Sequence, residues 1–280
     1  MRIEYEDKDI IVVYKEAGLP VQSGRTSARD LVSMLKNHLA QEEQTSRKDP
    51  GIRDRDLASD RQPAGKHAEP YLGIVHRLDQ PVEGLLVFAK TPKAAAALSR
   101  QAAAKGEDAR DESAAGKAAG GESAGGESSG GKSAKQGNRT QAMEKVYRAV
   151  VLITGEAYPL ALEGRKREVL LTDWILRDYS NNTAFVAEEG ARDAKRAQLT
   201  FRTLEIKDGK AMVEIRLHTG RHHQIRVQMA HAGMPLAGDR KYGDPGTEEK
   251  RLCLCAAKLG FRHPGSGKWM EFRVEPGFGI

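Results

Sequence analysis

Asp79 is the residue around which a reactive site can most readily be built. It ends the stretch 73–79, Gly-Ile-Val-His-Arg-Leu-Asp, and the turn residues Pro81 and Gly84 follow it. The apolar run at 85–89 predicts a buried strand directly after this turn. We therefore expect Asp79 on a loop at the mouth of a cleft, where catalytic groups are commonly mounted. The structural alternative is an aspartate that hydrogen-bonds only its own turn.

Two later segments also combine polar, basic and aromatic residues. Residues 145–149 read Lys-Val-Tyr-Arg-Ala, and residues 217–226 read Leu-His-Thr-Gly-Arg-His-His-Gln-Ile-Arg, with Gly-Asp at 238–239 and Tyr-Gly at 242–243. Together with residues 73–90, and in this order, they resemble the motifs of the RluA-type RNA pseudouridine synthases. The resemblance covers most of the chain outside two polar insertions.

The resemblance implies that the protein isomerises uridine to pseudouridine in RNA. The reaction breaks the C1′–N1 bond, turns the freed base and rejoins it through C5, without cofactor, metal or ATP. Asp79 matches the essential aspartate of the family. Whether that aspartate attacks C1′ or removes the 2′ proton, one ionised carboxylate suffices. Because a carboxylate cannot reach C1′ and C5 inside a stacked helix, we expect base flipping.

Other site residues follow from the same resemblance. Arg226 matches the arginine that pairs with the aspartate, where it would lower the pKa of that carboxyl and fix its rotamer. Tyr147 matches the tyrosine that stacks on the flipped base and can assist removal of the C5 proton. The residues expected to contact RNA are His76, Arg77, Lys145, Arg221 and His222. The structural alternatives are a solvated helix arginine, a core tyrosine and, for His76 and still more for His223, a histidine satisfied by the backbone.

The sequence departs from the family pattern after the aspartate. Residues 80–83 read Gln-Pro-Val-Glu where Arg-x-Thr-Ser is usual, so loop conformation and RNA contacts are open there. Glu83 adds a negative charge that would raise the pKa of Asp79 unless basic neighbours offset it. The segment starting at Lys15 resembles the family's opening Lys-Pro-Ala-Gly, with Glu16 in place of proline.

Composition predicts a soluble globular protein, since 39% of the 280 residues are hydrophobic and 30% are charged. There is no apolar run of about 18 residues and no apolar N-terminal segment, so we expect neither a transmembrane helix nor a secretory signal. An RNA-binding S4 domain has no room before residue 3. We expect one catalytic domain over 1–280, acting as a cytoplasmic monomer.

The positive charge is concentrated near one motif. The net charge is +6, and residues 216–241 hold five basic residues against Asp239 alone. The segment 102–141 contributes nothing, because it holds six basic and six acidic residues. This distribution favours a phosphate-bearing partner, here ribosomal or transfer RNA.

Local patterns predict an α+β fold with a mixed, mostly antiparallel sheet, flanking helices and a catalytic cleft. Helices are expected at 26–39, with Thr26 or Ser27 as cap, at 92–101 and at 221–232. The expected strands lie at 10–15, 85–89, 146–153, 169–176, 184–187, 198–206, 211–217, 252–261 and 269–274. Asp208-Gly209 is a strong hairpin signal between two of them.

Two polar stretches are predicted to lie outside the core. Residues 41–70 are nearly free of large apolar side chains and predict a mobile surface loop. Residues 102–141 contain no large apolar or aromatic residue and predict a disordered, flexible insertion without a catalytic role.

Two other functions compete with the isomerase. One is a non-catalytic RNA-binding factor on the same scaffold. The other is a metal-dependent hydrolase built from His76, Asp79, His222, His223 and His231, although adjacent helical histidines cannot easily face one ion. Cys253 and Cys255 are expected to be free thiols in a reducing compartment. We expect neither a metal nor a cofactor.

Overall fold

The computed structural model describes residues 1–24, 29–48, 69–104, 142–153, 155–243 and 249–280. Within these ranges the chain forms eleven strands and four α-helices. The strands are β1 (Arg2–Glu6), β2 (Ile10–Lys15), β3 (Gly73–Ile74), β4 (Glu83–Ala89), β5 (Glu144–Leu152), β6 (Val169–Asp178), β7 (Thr183–Ala187), β8 (Lys195–Lys207), β9 (Lys210–Leu217), β10 (Leu254–Arg262) and β11 (Trp269–Arg273). The helices are α1 (Leu31–Lys48), α2 (Pro92–Ala103), α3 (Tyr158–Lys166) and α4 (Gln224–His231).

All the strands belong to one sheet. Its order is β1-β2-β4-β10-β5-β9-β8-β6-β7, with β3 beside β4 and β11 beside β10. The pairings are antiparallel except for β4 with β10, which is parallel. The expected α+β fold with a mixed, mostly antiparallel sheet is thereby confirmed.

Gly84 permits the parallel pairing of β4 with β10. It lies opposite Ala256 with a φ of 120°, and a Cβ at this position would come within 2.5 Å of the Ala256 backbone nitrogen. Only glycine fits such an approach without moving the neighbouring strand. The sequence placed Gly84 in the turn, whereas the structure places it in β4. The contact fixes the start of β4, and hence the end of the loop that carries Asp79.

Helices cover both faces of the sheet. On β2, Ile11 and Val13 belong to a core cluster that includes buried residues of α1, α3 and α4. Ile10 and Val12 point to the other face, where α2 packs. This alternation follows from the two-residue period of a strand that is buried on both sides. No helix in the described ranges is both long and apolar enough to cross a membrane.

The first helix is displaced from its expected bounds. It was predicted at 26–39, but α1 runs from Leu31 to Lys48. Asp30 precedes it, and its Oδ1 accepts the backbone N–H of Ser33 at 2.7 Å, as an N-terminal cap does. Thr26 and Ser27, the expected caps, lie outside the described residues.

The expected loop at 41–70 is therefore wrong in its first part. Residues 41–48 are helical because glutamine, glutamate, lysine and arginine have good helix propensity even where no apolar stripe demands a helix. Residues 49–68 lie outside the described part of the chain. Likewise α2 extends to Ala103, into the expected insertion at 102–141, whose residues 105–141 are not described.

Candidate active site

The three sequence motifs meet in one cleft. Asp79 lies in the loop before β4, Tyr147 lies on β5 and Arg226 lies on α4. Since only β10 separates β4 from β5 in the sheet, the loop and the tyrosine are brought close together. All three residues line a cleft of about 2600 Å³. This volume exceeds the roughly 300–1,000 Å³ of pockets that hold small molecules, so the cleft has room for a polymer.

Asp79 faces the cleft and its side chain is 31% exposed. Its Oδ2 lies 3.6 Å from Nη1 of Arg226 and 3.5 Å from Nε2 of His223. The turn that follows is closed by the backbone, since the N–H of Val82 donates to the Asp79 carbonyl at 3.0 Å. The carboxylate therefore lies beside Arg226 of α4 and His223, the residue before α4. The alternative, an aspartate that hydrogen-bonds only its own turn, does not describe this arrangement.

Lys15 fixes the loop that carries Asp79. Its side chain is fully buried, and Nζ donates to the carbonyls of Glu16, Leu19 and Gln80 at 3.1, 2.8 and 3.0 Å. Burial lowers the pKa of Lys15 to about 8. The amine is thus still mostly protonated at pH 7, as three donated hydrogen bonds require. These bonds join the chain's opening turn to the residue after Asp79.

Gln80 strengthens the same junction. Its Nε2 donates to the carbonyl of Gly18 at 3.0 Å, and the N–H of Gly18 donates back to the Gln80 carbonyl at 2.9 Å. The departure from the family pattern at this position is accommodated by contacts inside the protein.

Glu83, the second departure, is engaged away from the cleft. It is buried, and its Oε1 accepts the N–H of Gly277 at 2.7 Å. Burial, together with the neighbouring Glu83 carboxylate, raises the pKa of the Tyr14 hydroxyl. Glu83 therefore anchors the C-terminal segment to β4.

Arg226 is held by a second carboxylate that the sequence analysis did not place in the site. Nε and Nη2 of Arg226 donate to Oδ2 and Oδ1 of Asp239 at 2.8 and 2.6 Å. Both side chains are buried. Burial opposes the charged forms, but the two bonds outweigh it, so the pKa of Arg226 is raised and that of Asp239 is lowered. Asp239 thus orients the guanidinium that faces Asp79.

His223 also lies beside Asp79, although the sequence favoured a purely structural role. Tyr242 links His223 to the sheet. The Tyr242 hydroxyl accepts the N–H of Ala184 in β7 at 2.9 Å and lies 2.6 Å from Nδ1 of His223. Burial and the charge of Arg226 lower the pKa of His223 to about 3. The ring is therefore neutral at pH 7. The simplest bonding pattern has the Tyr242 hydroxyl donating to Nδ1, which leaves the ring proton on Nε2, facing Asp79.

Strain accompanies this arrangement. His223 precedes α4 with a φ of 52°, a left-handed conformation that few non-glycine residues adopt. Its ring stacks on that of His222, with centroids 3.8 Å apart. Because α4 begins only at Gln224, neither histidine lies on the helix, and the prediction of a helix from residue 221 is wrong for residues 221–223.

Tyr147 is buried in the wall of the cleft. Burial and the negative charge of Asp79 raise the pKa of its hydroxyl. The side chain is thus a neutral phenol at pH 7. It offers an apolar face and a hydrogen-bond donor, not a phenolate base.

The contacts of His76 favour a structural role, in which the backbone satisfies its ring. Its Nε2 accepts the N–H of Val87 at 3.3 Å. Burial, with a smaller effect from Lys145, lowers the pKa of His76 to about 3. A neutral ring cannot attract phosphate by charge, so an RNA contact here remains a prediction without electrostatic support.

The other expected RNA contacts line the cleft with Asp79. Arg77 and Arg221 are exposed, and Nε of Arg221 donates to the Arg196 carbonyl at 3.0 Å. Burial lowers the pKa of Lys145. Nε2 of His222 is buried without a hydrogen-bond partner in the described part of the chain. A buried polar atom of this kind needs a partner, which a ligand in the cleft could supply.

The residues of the metal-hydrolase alternative are not grouped as metal ligands in the described part of the chain. Among the described residues, the groups of three potential ligands with closely spaced donor atoms are Glu6, His38 and Glu42, and Asp7, Asp9 and His263. Neither group includes Asp79. Nδ1 of His231 lies 2.8 Å from Oδ1 of Asp173. Cys253 and Cys255 form no disulfide and are buried.

The neutral state of His223 predicts acid sensitivity. Between pH 6.5 and about 3 the unfolded chain binds a proton at this site that the folded chain does not. The neutral His223 ring therefore favours the folded state fully above pH 6.5. As the pH falls below this value, the free energy of unfolding decreases by up to about 1.4 kcal/mol per pH unit. We expect the free energy of unfolding in urea to be lower at pH 5 than at pH 7.

The replacement His223→Asn isolates this contribution, since asparagine tolerates a positive φ and does not titrate in this range. The difference between pH 5 and pH 7 should shrink in that variant and persist in His231→Asn, whose side chain is 58% exposed. Equal differences in the wild type and in His223→Asn would contradict the assignment.

Comparison with known proteins finds relatives that match most of the chain. A family model described as RNA pseudouridylate synthase matches residues 9–109 and 131–231. Among curated proteins, the chain is 30% identical to a ribosomal large subunit pseudouridine synthase D of Zymomonas mobilis, over 98% of this chain and 69% of the relative. It is 31% identical to a chloroplastic RNA pseudouridine synthase 2 of Oryza sativa, over 73% of this chain but only 42% of that protein.

Solved structures share the fold. The chain superposes on the structure titled human RNA Pseudouridylate Synthase Domain Containing 4 with a TM-score of 0.59, covering 98% of this chain and 88% of that one. Sequence identity in this comparison is 17%, so the similarity concerns the fold alone.

Proposed function

The chain belongs to the RluA-type RNA pseudouridylate synthase family, and on this premise we propose that it isomerises specific uridines in structured RNA with Asp79 as the reacting carboxylate. One observation carries the proposal. Asp79, Tyr147 and Arg226 come from separate segments, yet all three line one cleft that is large enough for a polymer.

The reaction needs no external reactant. The C1′–N1 bond breaks, the C1′–C5 bond forms, N1 gains a proton and C5 loses one. The protein has to supply one ionised carboxylate near the ribose, either to attack C1′ or to take the 2′ proton. Asp79 is suited to both routes because its carboxylate is open to the cleft and bonds no backbone N–H of its own turn.

Two nitrogen donors, one from Arg226 and one from His223, lie beside the Asp79 carboxylate. The shortest hydrogen bonds of Arg226 are those to Asp239, whereas its Nη1 lies 3.6 Å from Oδ2 of Asp79, so the guanidinium stays beside this carboxylate without a short hydrogen bond to it. His223 presents a neutral N–H at 3.5 Å from the same oxygen. We propose that both orient Asp79 and stabilise its charge between reaction steps.

Tyr147 would stack on the uracil after it leaves the RNA helix. Its buried ring offers the flat apolar face that a flipped base needs. Because the pKa of its hydroxyl is raised, Tyr147 is poorly suited to take the C5 proton. We assign it to binding and orientation of the base.

Ribosomal RNA is the favoured substrate over transfer RNA. The Zymomonas relative is named a ribosomal large subunit enzyme and aligns with nearly the whole chain. We further propose that one domain, acting as a cytoplasmic monomer, carries the activity. The family match omits residues 110–130, which lie inside the low-complexity segment, and this supports an insertion without a catalytic role.

Pseudouridine mapping on total RNA tests the proposal. Cells with the intact gene, cells with a deletion and deletion cells re-expressing the protein are compared. We expect one or a few uridines, in ribosomal RNA, to lose modification on deletion and to regain it on re-expression. Identical maps in all three strains would reject the function, and sites confined to transfer RNA would reject the substrate.

A further inference from the structure

The hairpin between β6 and β7 places an unusual pair of side chains on the rim of the cleft. Tyr179, at its tip, is 79% exposed. The guanidinium of Arg177 lies 4.5 Å from the centre of the Tyr179 ring. Arg177 and Asn182, on either side of the tip, line the same cleft as Asp79. None of these residues belongs to the motifs discussed above.

The tip is held in a fixed shape. The carboxylate of Asp178 accepts four hydrogen bonds, two from Ser180 and two from Asn181, at 2.5 to 3.2 Å. The Ser180 and Asn181 side chains lower the pKa of Asp178 to about 2, so this carboxylate is ionised at pH 7. Its lone pairs are directed into the turn. Tyr179 is thereby presented on a preorganised loop, which reduces the entropy lost when a ligand binds.

The hairpin is also tied to the catalytic cleft. Nζ of Lys241 donates to the Asn182 carbonyl at 2.7 Å, and the N–H of Ala184 donates to the hydroxyl of Tyr242. Tyr242 in turn bonds His223, which faces Asp79. A ligand on the tip would therefore have a defined position relative to the reacting carboxylate.

The chemistry of the pair fits a nucleotide. Arg177 covers one face of the Tyr179 ring, so a nucleobase can stack on the open face, where ring stacking and the nearby cation both contribute. In the described part of the chain, no carboxylate lies within ion-pair distance of Arg177, so its outer N–H groups can meet a phosphate. Three other basic residues, Arg221, Arg240 and Lys241, line the same cleft as Arg177.

We propose that the Arg177–Tyr179 tip binds a second nucleotide of the RNA, outside the target uridine, with its base stacked on Tyr179 and its phosphate on Arg177. The inference rests on the proposed function, because it takes RNA as the occupant of the cleft. It adds a contact that selects and holds the substrate and that takes no part in bond breaking.

Binding of a fluorescein-labelled oligouridylate of about twelve nucleotides to the purified full-length chain tests the stacking. We expect Tyr179→Ala to weaken binding about 5- to 100-fold, as loss of one base–aromatic stack does elsewhere. Tyr179→Phe keeps the ring and should bind like the wild type. Tyr158→Ala is the matched control, since Tyr158 is an exposed tyrosine at the start of α3 and does not belong to the β6–β7 hairpin. Equal affinity of Tyr179→Ala and Tyr158→Ala would overturn the proposal.

Salt dependence separates the two halves of the contact. Removing one phosphate contact lowers the slope of log affinity against log salt by about one, so Arg177→Gln should flatten the slope. Tyr179→Ala should weaken binding with the slope unchanged. If both variants changed the slope equally, or neither bound more weakly, the assigned roles would be wrong.

Failure of this inference and failure of the proposed function are distinguishable. Weaker oligonucleotide binding by Tyr179→Ala, with no deletion-sensitive pseudouridine in cells, would retain the tip and reject the isomerase. Deletion-sensitive pseudouridines together with unchanged oligonucleotide binding by Tyr179→Ala would retain the isomerase and reject the nucleotide site at the tip.

Discussion

Asp79→Asn should abolish pseudouridine formation while leaving the protein folded and able to bind RNA. Asparagine has nearly the same shape but is neither an effective nucleophile nor a base, so both routes open to Asp79 are removed. We expect the single-turnover rate on the RNA identified by mapping to fall by at least about 10⁴-fold, as when a reacting group is deleted from other enzymes. The amount of pseudouridine formed by purified protein measures the loss.

Stability should change little in this variant. The Asp79 side chain is 31% exposed and its contacts are 3.5 Å or longer, so we expect less than about 1 kcal/mol of change in the free energy of unfolding. Asp208→Asn is the matched control, because Asp208 is an exposed aspartate in the β8–β9 turn. A mutant that retained substantial activity would show that another group carries the chemistry.

The parts of the fold that sequence predicted well depend on local signals. The hairpin at Asp208-Gly209 is an example, with φ of 48° and 73° at the two residues, as a two-residue turn between twisted strands requires. Helix α4, which was expected at 221–232, runs from Gln224 to His231, and Ile225 and Met229, four residues apart, are both buried in it.

Helix α3 was missed because tertiary packing, rather than an apolar stripe, supports it. Gly164 lies so close to β8 that a Cβ there would meet Thr203 Oγ1 at 2.5 Å. A glycine inside a helix is unfavourable by local propensity, and only this close approach explains its position. No pattern in the sequence of residues 158–166 predicts a contact with a strand about forty residues later.

The sequence named Asp79, Tyr147 and Arg226, which the structure brings to one cleft, but it did not assign roles to the residues that hold them in place. Asp239 follows Arg226 by 13 residues and Tyr242 follows His223 by 19, so their contacts depend on the path after α4. The Gly-Asp and Tyr-Gly motifs were visible and could have suggested a role. The positive φ of His223 could not be predicted from its residue type.

The buried pair of Arg226 and Asp239 gives the other large expected effect. Asp239 is 1% exposed and accepts two bonds from Arg226 and two from backbone N–H groups of residues 241 and 242. Asp239→Leu would leave a buried guanidinium without its main counter-charge. We expect a loss of about 3–5 kcal/mol in the free energy of unfolding, measured in urea. We also expect lost activity, because Arg226 would be drawn onto Asp79.

The double variant Arg226→Met with Asp239→Leu separates structure from function. Replacing both members of a buried ion pair by apolar residues is often neutral or stabilising, whereas removing one leaves an unpaired charge. We therefore expect the double variant to be more stable than Asp239→Leu alone, with strongly non-additive free energies. Its activity should nevertheless stay low, because Asp79 would have lost the cation beside it. If activity returned together with stability, Arg226 would serve only the fold, and the orientation of Asp79 would have to come from His223.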